Sequence, residues 1–212
     1  MPTGDLPMVR ILGIAGSPRQ NGNTSLMLDE ALKGARAAGA TINKIVVCNR
    51  DINPCLACGD CAKTGECWQE DGMEKIYNLT LSSHGIILAA PIYFNSLNAQ
   101  TKALIDRHQC IWARKYLLGE EVTDPAIRHA RRGLFLSAAG ADDPRAFDGA
   151  LKVVDMFFDV LDIIYYERLL FFRMGEKGAV KNHPTALRDA YSAGEHLVLE
   201  ISRSLGEVRE TV

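Results

Sequence analysis

The chain has 212 residues and a formal net charge of −2, with 47% hydrophobic and 24% charged residues. These values are ordinary for a water-soluble globular protein with one full core. The small net charge and the lack of a basic run argue against a nucleic-acid partner, and no apolar run approaches the roughly 18 residues of a membrane span. The amino-terminal residues MPTGDLPMVR lack the pattern of a signal peptide, so we expect a cytoplasmic protein with no membrane partner.

Apolar runs alternate with amphipathic stretches along the chain. The predicted strands cover residues 9–16, 41–48, 84–91, 131–140 and 162–172, and the predicted helices cover residues 23–39, 71–83, 96–117, 144–161 and 183–205. Pro91 is expected to stop the third strand, while Gly39, Asp71 and Pro184 are placed as helix-end signals. Five strands alternating with five helices predict an α/β fold, a doubly wound five-stranded parallel sheet with helices on both faces. No linker divides the chain, so we expect a single domain over residues 1–212.

The loop after the first strand, GSPRQNGNTS, leads directly into a helix and matches neither the dinucleotide nor the Walker A motif. Its three hydroxyl groups, its arginine and the free N–H groups of the helix suit a phosphate monoester. An ordinary strand-to-helix turn would explain an asparagine cap, but not the arginine and three hydroxyls together. We therefore predict a phosphate site here. Its residues are Ser17, Arg19, Asn23, Thr24 and Ser25.

Two further loops should reach the same edge, because ligands of such sheets bind at the carboxyl ends of the strands. The third strand is followed by PIYFNS, which offers aromatic surface and polar groups, and the fourth ends in SAAG, which lets a ligand approach the backbone. Taken alone, each pattern also fits an ordinary helix cap or strand end. Their coincidence at one edge favours a flat heterocyclic ligand. The candidate residues are Pro91, Ile92, Tyr93, Phe94, Asn95, Ser96, Ser137, Ala138, Ala139 and Gly140.

Four of the six cysteines fall in the stretch CLACGDCAKTGEC, within a predicted cysteine-rich loop at 50–70. The C-x2-C-x2-C spacing lets one loop wrap three corners of an iron–sulfur cubane, and Gly65 lets the chain turn back to the fourth thiol. Zinc sites more often use separated cysteine pairs or histidine, and a disulfide would be out of place in the cytosol. We favour a cluster, and zinc or free thiols remain the alternatives. The candidate ligands are Cys55, Cys58, Cys61 and Cys67.

The two other cysteines, Cys48 and Cys110, lie in an apolar strand and an apolar helix, which indicates buried structural thiols. The cluster motif departs from bacterial ferredoxins at one position, where Trp68 replaces the proline that follows the last cysteine. The cysteine loop leaves the carboxyl end of the second strand, on the same edge as the three other loops.

The stretches GSPRQNGNTS and APIYFNSLNAQTKALIDR resemble the NADPH-dependent FMN reductase family of the flavodoxin-like superfamily. The cysteine block, followed by Glu70 and Asp71, resembles the iron–sulfur flavoproteins within that family. The resemblance implies that the loop at 16–25 binds the FMN phosphate and that the PIYFNS and SAAG loops contact the isoalloxazine ring. It also implies a [4Fe–4S] cluster on the four cysteines, and a homodimer or homotetramer with the flavin near a subunit boundary.

The first functional hypothesis is therefore an FMN-dependent oxidoreductase. Its cluster would relay electrons between FMN and a one-electron carrier such as a ferredoxin, or NAD(P)H. Flavin chemistry requires no catalytic side chain, and none of the five histidines shows metal-ligand spacing. The second hypothesis is an NAD(P)H-dependent FMN reductase without a cluster, whose cysteines are structural or bind zinc. The third is a non-enzymatic, flavodoxin-like electron carrier.

Overall fold

A computed structural model describes residues 8–207 and alternates strands with helices along them. The strands are β1 (Arg10–Ala15), β2 (Thr41–Val46), β3 (Gly85–Tyr93), β4 (Ser96–Leu97), β5 (Arg132–Ala138) and β6 (Ile164–Phe171). The helices are α1 (Asn23–Ala37), α2 (Cys61–Thr64), α3 (Met73–Ser82), α4 (Ala99–Arg107), α5 (Gln109–Tyr116), α6 (Pro125–Arg128), α7 (Asp148–Val160) and α8 (Ala186–Glu207). Short 3₁₀ turns cover Val47–Asn49, Pro144–Phe147 and Ala179–Asn182.

The five long strands form a parallel sheet in the order β2-β1-β3-β5-β6, and the two-residue β4 pairs antiparallel with β3. This is the strand order of flavodoxin-like folds, and it confirms the predicted fold class. The order reverses between β1 and β3, so a ligand crevice is expected at the carboxyl ends of these two strands. Within residues 8–207, no helix is long and apolar enough to cross a membrane.

Both faces of the sheet are buried because successive side chains in a strand point to opposite sides. In β1, Ile11 packs into the core formed with α1 and α8, whereas the next residue, Leu12, packs into the core formed with the helices on the other face. In β3, Ile87 packs into the first of these cores and Leu88 into the second. Each such side chain contributes about 1.5–3 kcal/mol of burial free energy. The apolar strands therefore form a rigid base for the loops at their carboxyl ends.

Strand β3 runs through Pro91 to Tyr93, so the prediction that Pro91 stops the strand is wrong. Strand β1 ends at Ala15, opposite Ala89 of β3. The carbonyl of Ala89 faces β1, since it accepts the N–H of Gly16 at 2.8 Å, and the backbone two residues later faces the same way. Proline therefore lacks its N–H where β1 has already ended, and no ladder hydrogen bond is lost.

A tight hairpin stands where the helix predicted at residues 96–117 was expected to begin. Tyr93 pairs with Ser96 across a two-residue turn. Phe94 and Asn95 occupy that turn with φ angles of +50° and +56°, the left-handed values of a type I′ hairpin. The helix begins only at Ala99, so its predicted start at residue 96 is wrong.

The predicted helix at 96–117 is also broken in two at His108, which lies between α4 and α5. The His108 ring is buried, shares a hydrogen bond of 2.9 Å with the carbonyl of Leu104, and packs edge-on against Tyr77 and Phe157. The last residue of α4, Arg107, contacts the cysteine segment.

Other helix ends follow their sequence signals only in part. Gly39 has a φ of +89° just after α1, and Asp71 accepts the N–H of Met73 at the start of α3 at 3.0 Å, as expected. The last helix begins at Ala186, so Pro184 lies before its first turn and not inside it.

Candidate functional site

A cavity of about 170 Å³ lies at the carboxyl edge of the sheet, where four loops meet. It brings together nine of the fifteen predicted cofactor residues and adds residues that follow β6. Its lining consists of Ser17, Arg19, Gly22, Asn23, Thr24, Pro91, Ile92, Tyr93, Ala138, Gly140, Met174, Gly175 and Lys177. The predicted residues outside this lining are Ser25, Phe94, Asn95, Ser96, Ser137 and Ala139.

The loop between β1 and α1 forms the polar end of this cavity. The buried Ser17 hydroxyl accepts the N–H of Arg19 at 3.2 Å, and the exposed Arg19 side chain lies at the cavity wall. Thr24 is 2% exposed, and its hydroxyl has no hydrogen-bond partner in the described part of the chain. An unpaired buried hydroxyl costs about 1–3 kcal/mol, so Thr24 indicates a site that is completed by an acceptor from outside the protein.

Asn23 holds the cavity together through its side-chain amide. Its Nδ2 donates to the carbonyls of Met174 at 2.8 Å and Glu176 at 2.9 Å, and its Oδ1 accepts the N–H of Val180 at 3.2 Å. Both amide hydrogens are thereby used within the protein. Asn23 therefore fixes the loop after β6 against the start of α1, and its backbone N–H is the group left to face a ligand.

The loop after β6 was missed by the sequence reasoning, although it places Lys177 in the cavity wall. Its sequence, RMGEKG, follows a predicted strand, and in a doubly wound sheet the loops after all parallel strands share one edge. That rule was the signal available to find it. Gly140 and Gly175 meet where this loop passes the end of β5, since a Cβ on Gly140 would lie 3.3 Å from the Gly175 Cα.

The PIYFNS hairpin forms the opposite wall of the cavity. Pro91, Ile92 and Tyr93 line it, whereas Phe94 projects fully exposed from the tip of the turn. Ser137 is completely buried and donates its hydroxyl hydrogen to the carbonyl of Ala90 at 2.7 Å. The Ser137 side chain thus ties β5 to β3 and is not available to a ligand in this cavity.

The four cysteines of the motif line a second cavity, of about 380 Å³, which shares no lining residue with the first. Cys55, Cys58, Cys61 and Cys67 all lie in its wall, together with the buried Cys110. The cavity is closed on its other sides by the end of α4 and by α5. Its remaining lining residues are Leu56, Ala57, Gly59, Ala62, Gln69, Asp106, Arg107, Gln109, Ala113 and Leu117.

The cysteine segment is shaped as the sequence predicts. Gly65 has a φ of +75° and ends the single turn of α2, so that the chain returns toward Cys67. The Trp68 indole N–H donates to the Cys58 sulfur at 3.2 Å. Burial raises the pKa of the Cys61 thiol, and the three neighbouring thiols of the motif raise it further.

The four thiols share the lining of one cavity. A single zinc ion with Zn–S bonds near 2.3 Å would need its sulfurs roughly 4 Å apart. Over residues 8–207, no group of three or more His, Cys, Asp or Glu side chains is arranged to hold one metal ion. The donor set is all thiol, which is the ligand type that iron–sulfur clusters use.

The two remaining cysteines differ from each other. Cys110 is buried, as predicted. Cys48 is exposed, so the prediction of a buried thiol is wrong there, because β2 ends at Val46 and Cys48 lies in the following 3₁₀ turn. Its sulfur contacts the carbonyl of Ser17 at 3.8 Å. The segment that leads to the cysteine motif therefore touches the loop of the first cavity.

Comparison with known proteins agrees with this geometry. Residues 9–146 match the family described as NADPH-dependent FMN reductase. An iron-sulfur flavoprotein of Archaeoglobus fulgidus is 42% identical over 99 residues, which are 47% of this chain and 45% of that protein. An iron-sulfur flavoprotein of Methanocaldococcus jannaschii is 31% identical over 157 residues, 74% of each chain. Among solved structures, an NAD(P)H:quinone oxidoreductase from Methanothermobacter marburgensis shares the fold with a TM-score of 0.65 at 13% identity, over 90% of this chain and 99% of that one.

The strand order and the cavity at the switch point define a flavodoxin-like protein. The chain belongs to the NADPH-dependent FMN reductase family, which confirms the resemblance found in the sequence. The chain spans about half the length of the first curated relatives it matches, from 45% to 60%.

Proposed function

We propose that this protein is an FMN-dependent oxidoreductase that carries a [4Fe–4S] cluster on Cys55, Cys58, Cys61 and Cys67. The observation that carries the proposal is the pair of cavities, one with an incomplete phosphate site and one walled by four thiols. Family membership supports FMN as the ligand of the first cavity, and the names of the relatives support an iron–sulfur group in the second.

The first cavity fits the phosphate end of FMN. Ser17 and Thr24 supply hydroxyls, and Arg19 and Lys177 supply positive charge at its wall. The unpaired Thr24 hydroxyl has the acceptor it lacks when a phosphate oxygen lies beside it. The first N–H groups of α1 have no partner within the helix and add the positive end of its dipole. Together these groups select a dianion over neutral ligands.

The PIYFNS hairpin and the end of β5 fit the flavin ring. Ile92 and Tyr93 offer apolar and aromatic surface on one side, and Ala138 and Gly140 leave room on the other. Neither wall carries a nucleophile or an acid–base pair. The protein's part is therefore to hold the ring, exclude water from one side of it and leave a face open to a reaction partner.

The second cavity suits a cluster because its lining holds four thiols, the ligand type that iron–sulfur clusters use. When bound, FMN exchanges electrons singly or in pairs and a cluster exchanges them singly. Four thiols and a flavin site in one chain therefore suit transfer between a one-electron carrier, such as a ferredoxin, and a two-electron donor or acceptor, such as NAD(P)H. We further propose that residues 1–212 form one domain and that the protein is cytoplasmic and homo-oligomeric.

Two alternatives remain, and one experiment separates each from the proposal. A reductase without a cluster would oxidise NADPH or NADH in the steady state with FMN alone and would be unaffected by replacing the four cysteines with serine. A non-enzymatic carrier would accept electrons from a reduced ferredoxin but would show no steady-state turnover with either nicotinamide. The proposal predicts flavin reduction by a one-electron donor that is lost when the four cysteines are replaced while FMN remains bound.

A further inference from the structure

Arg107 is a buried arginine at the end of α4 that no part of the proposed chemistry has yet used. It is 1% exposed and lies in the wall of the cysteine cavity. Its Nη2 contacts the Cys67 sulfur at 3.4 Å and the Asp71 Oδ1 at 3.3 Å. Its Nη1 donates to the carbonyl of Asn53 at 2.9 Å and to the Asp71 carboxylate. One guanidinium thus connects both ends of the cysteine segment with one of its thiols.

These contacts close the cysteine segment at its base. Asn53 precedes the first cysteine of the motif by two residues, and Gln69, whose carbonyl lies 3.4 Å from Nη2, follows the last cysteine by two. Asp71 also accepts the N–H of Asn53 at 3.1 Å. The N–H of Gly72 donates to the carbonyl of Asp51, before the motif, at 2.8 Å. The Arg107–Asp71 pair therefore contributes several of the contacts that hold the ends of the segment together.

The buried Arg107–Asp71 ion pair costs more free energy than a purely structural contact would need. Both side chains are 1% exposed, and burying an ion pair carries a desolvation penalty that a pair of apolar residues would avoid. The Arg107 Nε is buried and has no hydrogen-bond partner among the described residues, which adds to that cost. An apolar pair could replace neither the hydrogen bonds to the backbone of the segment nor the positively charged N–H donor beside the Cys67 sulfur.

We propose that Arg107 is a positioning residue for the cluster: it fixes Cys67 in the cavity wall and raises the reduction potential of the group that the four thiols bind. This inference rests on the proposed cluster. A reduced cluster carries one more negative charge than an oxidised one, so a nearby positive charge and a hydrogen bond to a ligating sulfur both favour the reduced state.

The test compares three variants of the anaerobically reconstituted, FMN-containing protein. Arg107→Gln removes the charge, and Arg107→Lys keeps the charge but not the planar fork. Arg114→Gln is the matched control, because Arg114 packs beside the cysteine segment at Gly65 but pairs with Glu120 and not with a thiol. Two quantities are measured for each variant: the reduction potential of the cluster and the rate of iron loss to a chelator.

We expect Arg107→Gln to lower the potential by at least 59 mV, which is a tenfold change in the ratio of reduced to oxidised cluster, and to speed iron loss at least tenfold. Arg107→Lys should have a reduction potential close to that of the wild type, but it should lose iron faster than the wild type does. Arg114→Gln should match the wild type in both quantities. A wild-type potential in Arg107→Gln overturns the inference. If that variant assembles no cluster, Asp71→Asn decides: a raised potential supports the inference and an unchanged one overturns it. Wild-type protein that takes up no iron or sulfide overturns the proposed function as well.

Discussion

The side-chain amide of Asn98 donates a hydrogen bond of 2.8 Å to the backbone carbonyl of Gly16. Asn98 follows the PIYFNS hairpin and Gly16 opens the phosphate loop, so this bond joins the two walls of the first cavity. Thr101 completes the junction by donating its hydroxyl hydrogen to the Asn98 Oδ1 at 2.7 Å. A Cβ on Gly16 would lie 2.0 Å from the Thr101 hydroxyl oxygen. Only glycine therefore allows the end of β1 and the start of α4 to meet here.

Replacing Thr24 with valine should separate ligand binding from stability. The buried Thr24 hydroxyl has no partner within residues 8–207, so its removal should leave the free protein as stable as the wild type or about 1 kcal/mol more stable. The same change should weaken FMN binding about tenfold, because a hydrogen bond to a charged phosphate is lost. Urea unfolding and flavin titration measure the two effects.

The matched control for this change is Thr101→Val. The Thr101 hydroxyl is equally buried but has a partner, so its loss should destabilise the free protein by about 1–3 kcal/mol. If Thr24→Val instead behaved like Thr101→Val, and bound FMN with wild-type affinity, the hydroxyl would not belong to the phosphate site.

Arg19→Ala should weaken the retention of FMN about tenfold and leave the binding of riboflavin unchanged. The reason is that the guanidinium contacts only the phosphate in the proposed arrangement, and riboflavin has none. Equilibrium titration of the flavin-free protein with both flavins gives the two dissociation constants. Arg36→Ala, at the far end of α1, is the control and should change neither. Equal losses for FMN and riboflavin would place Arg19 at the ring instead.

Lys177→Ala tests the loop that the sequence reasoning missed. An exposed lysine at the cavity wall should contribute less than Arg19, so we expect a weakening of FMN binding of about three- to fivefold, which increases at low ionic strength. Lys181 follows four residues later and lies outside the cavity, so Lys181→Ala should bind FMN normally. An identical response of the two variants would indicate a general effect of net charge.

The free energy of unfolding should decrease as the pH falls from 6.5 to about 4, because a buried histidine must remain neutral in the folded protein. His84 is 1% exposed, and burial lowers its pKa to about 4, below the ordinary value of 6.5. Its Nδ1 accepts the N–H of Arg10 at 3.0 Å, which requires the neutral ring. The unfolded chain binds this proton below pH 6.5 and the folded chain only below about pH 4. About 3 kcal/mol of stability should therefore be lost as the pH falls from 6.5 to 4.

The buried His108, whose pKa is also lowered to about 4 by burial, should add a similar loss in the same window. Urea unfolding at pH 7 and pH 5 measures the combined slope. His84→Asn keeps an acceptor for the Arg10 N–H but cannot titrate, and should remove about half of that slope. His196 is exposed, so His196→Gln should leave it unchanged. If His84→Asn kept the full wild-type slope, His84 would not be a source of the pH dependence.

The sequence was sufficient where one local signal decided the structure. The doubly wound parallel sheet follows from the alternation of apolar runs with helical patterns, and the GSPRQNGNTS loop places Ser17, Arg19 and Thr24 together without help from distant residues. Gly65 turns the chain back because only a residue without a side chain adopts its backbone conformation at no cost.

The sequence was insufficient where tertiary contacts override local preference. The residues near Pro91 do not encode where β1 ends, which is opposite Ala89, two residues before Pro91. A local pattern therefore predicts that the strand stops at the proline. The helical pattern around His108 is continuous, and the break depends on a pocket formed by Tyr77 and Phe157. The contacts of Arg107 join groups 36 to 54 residues away in the chain, which no local pattern encodes.

The central claim is that four thiols and a flavin site serve one redox protein. Its most direct test is an anaerobic purification followed by iron, sulfide, zinc and flavin assays and an absorption spectrum of the same sample. The proposal predicts flavin bands above a broad iron–sulfur absorption, with about four iron and four sulfide per chain. Bound FMN with no iron or sulfide, even after anaerobic reconstitution, would contradict it.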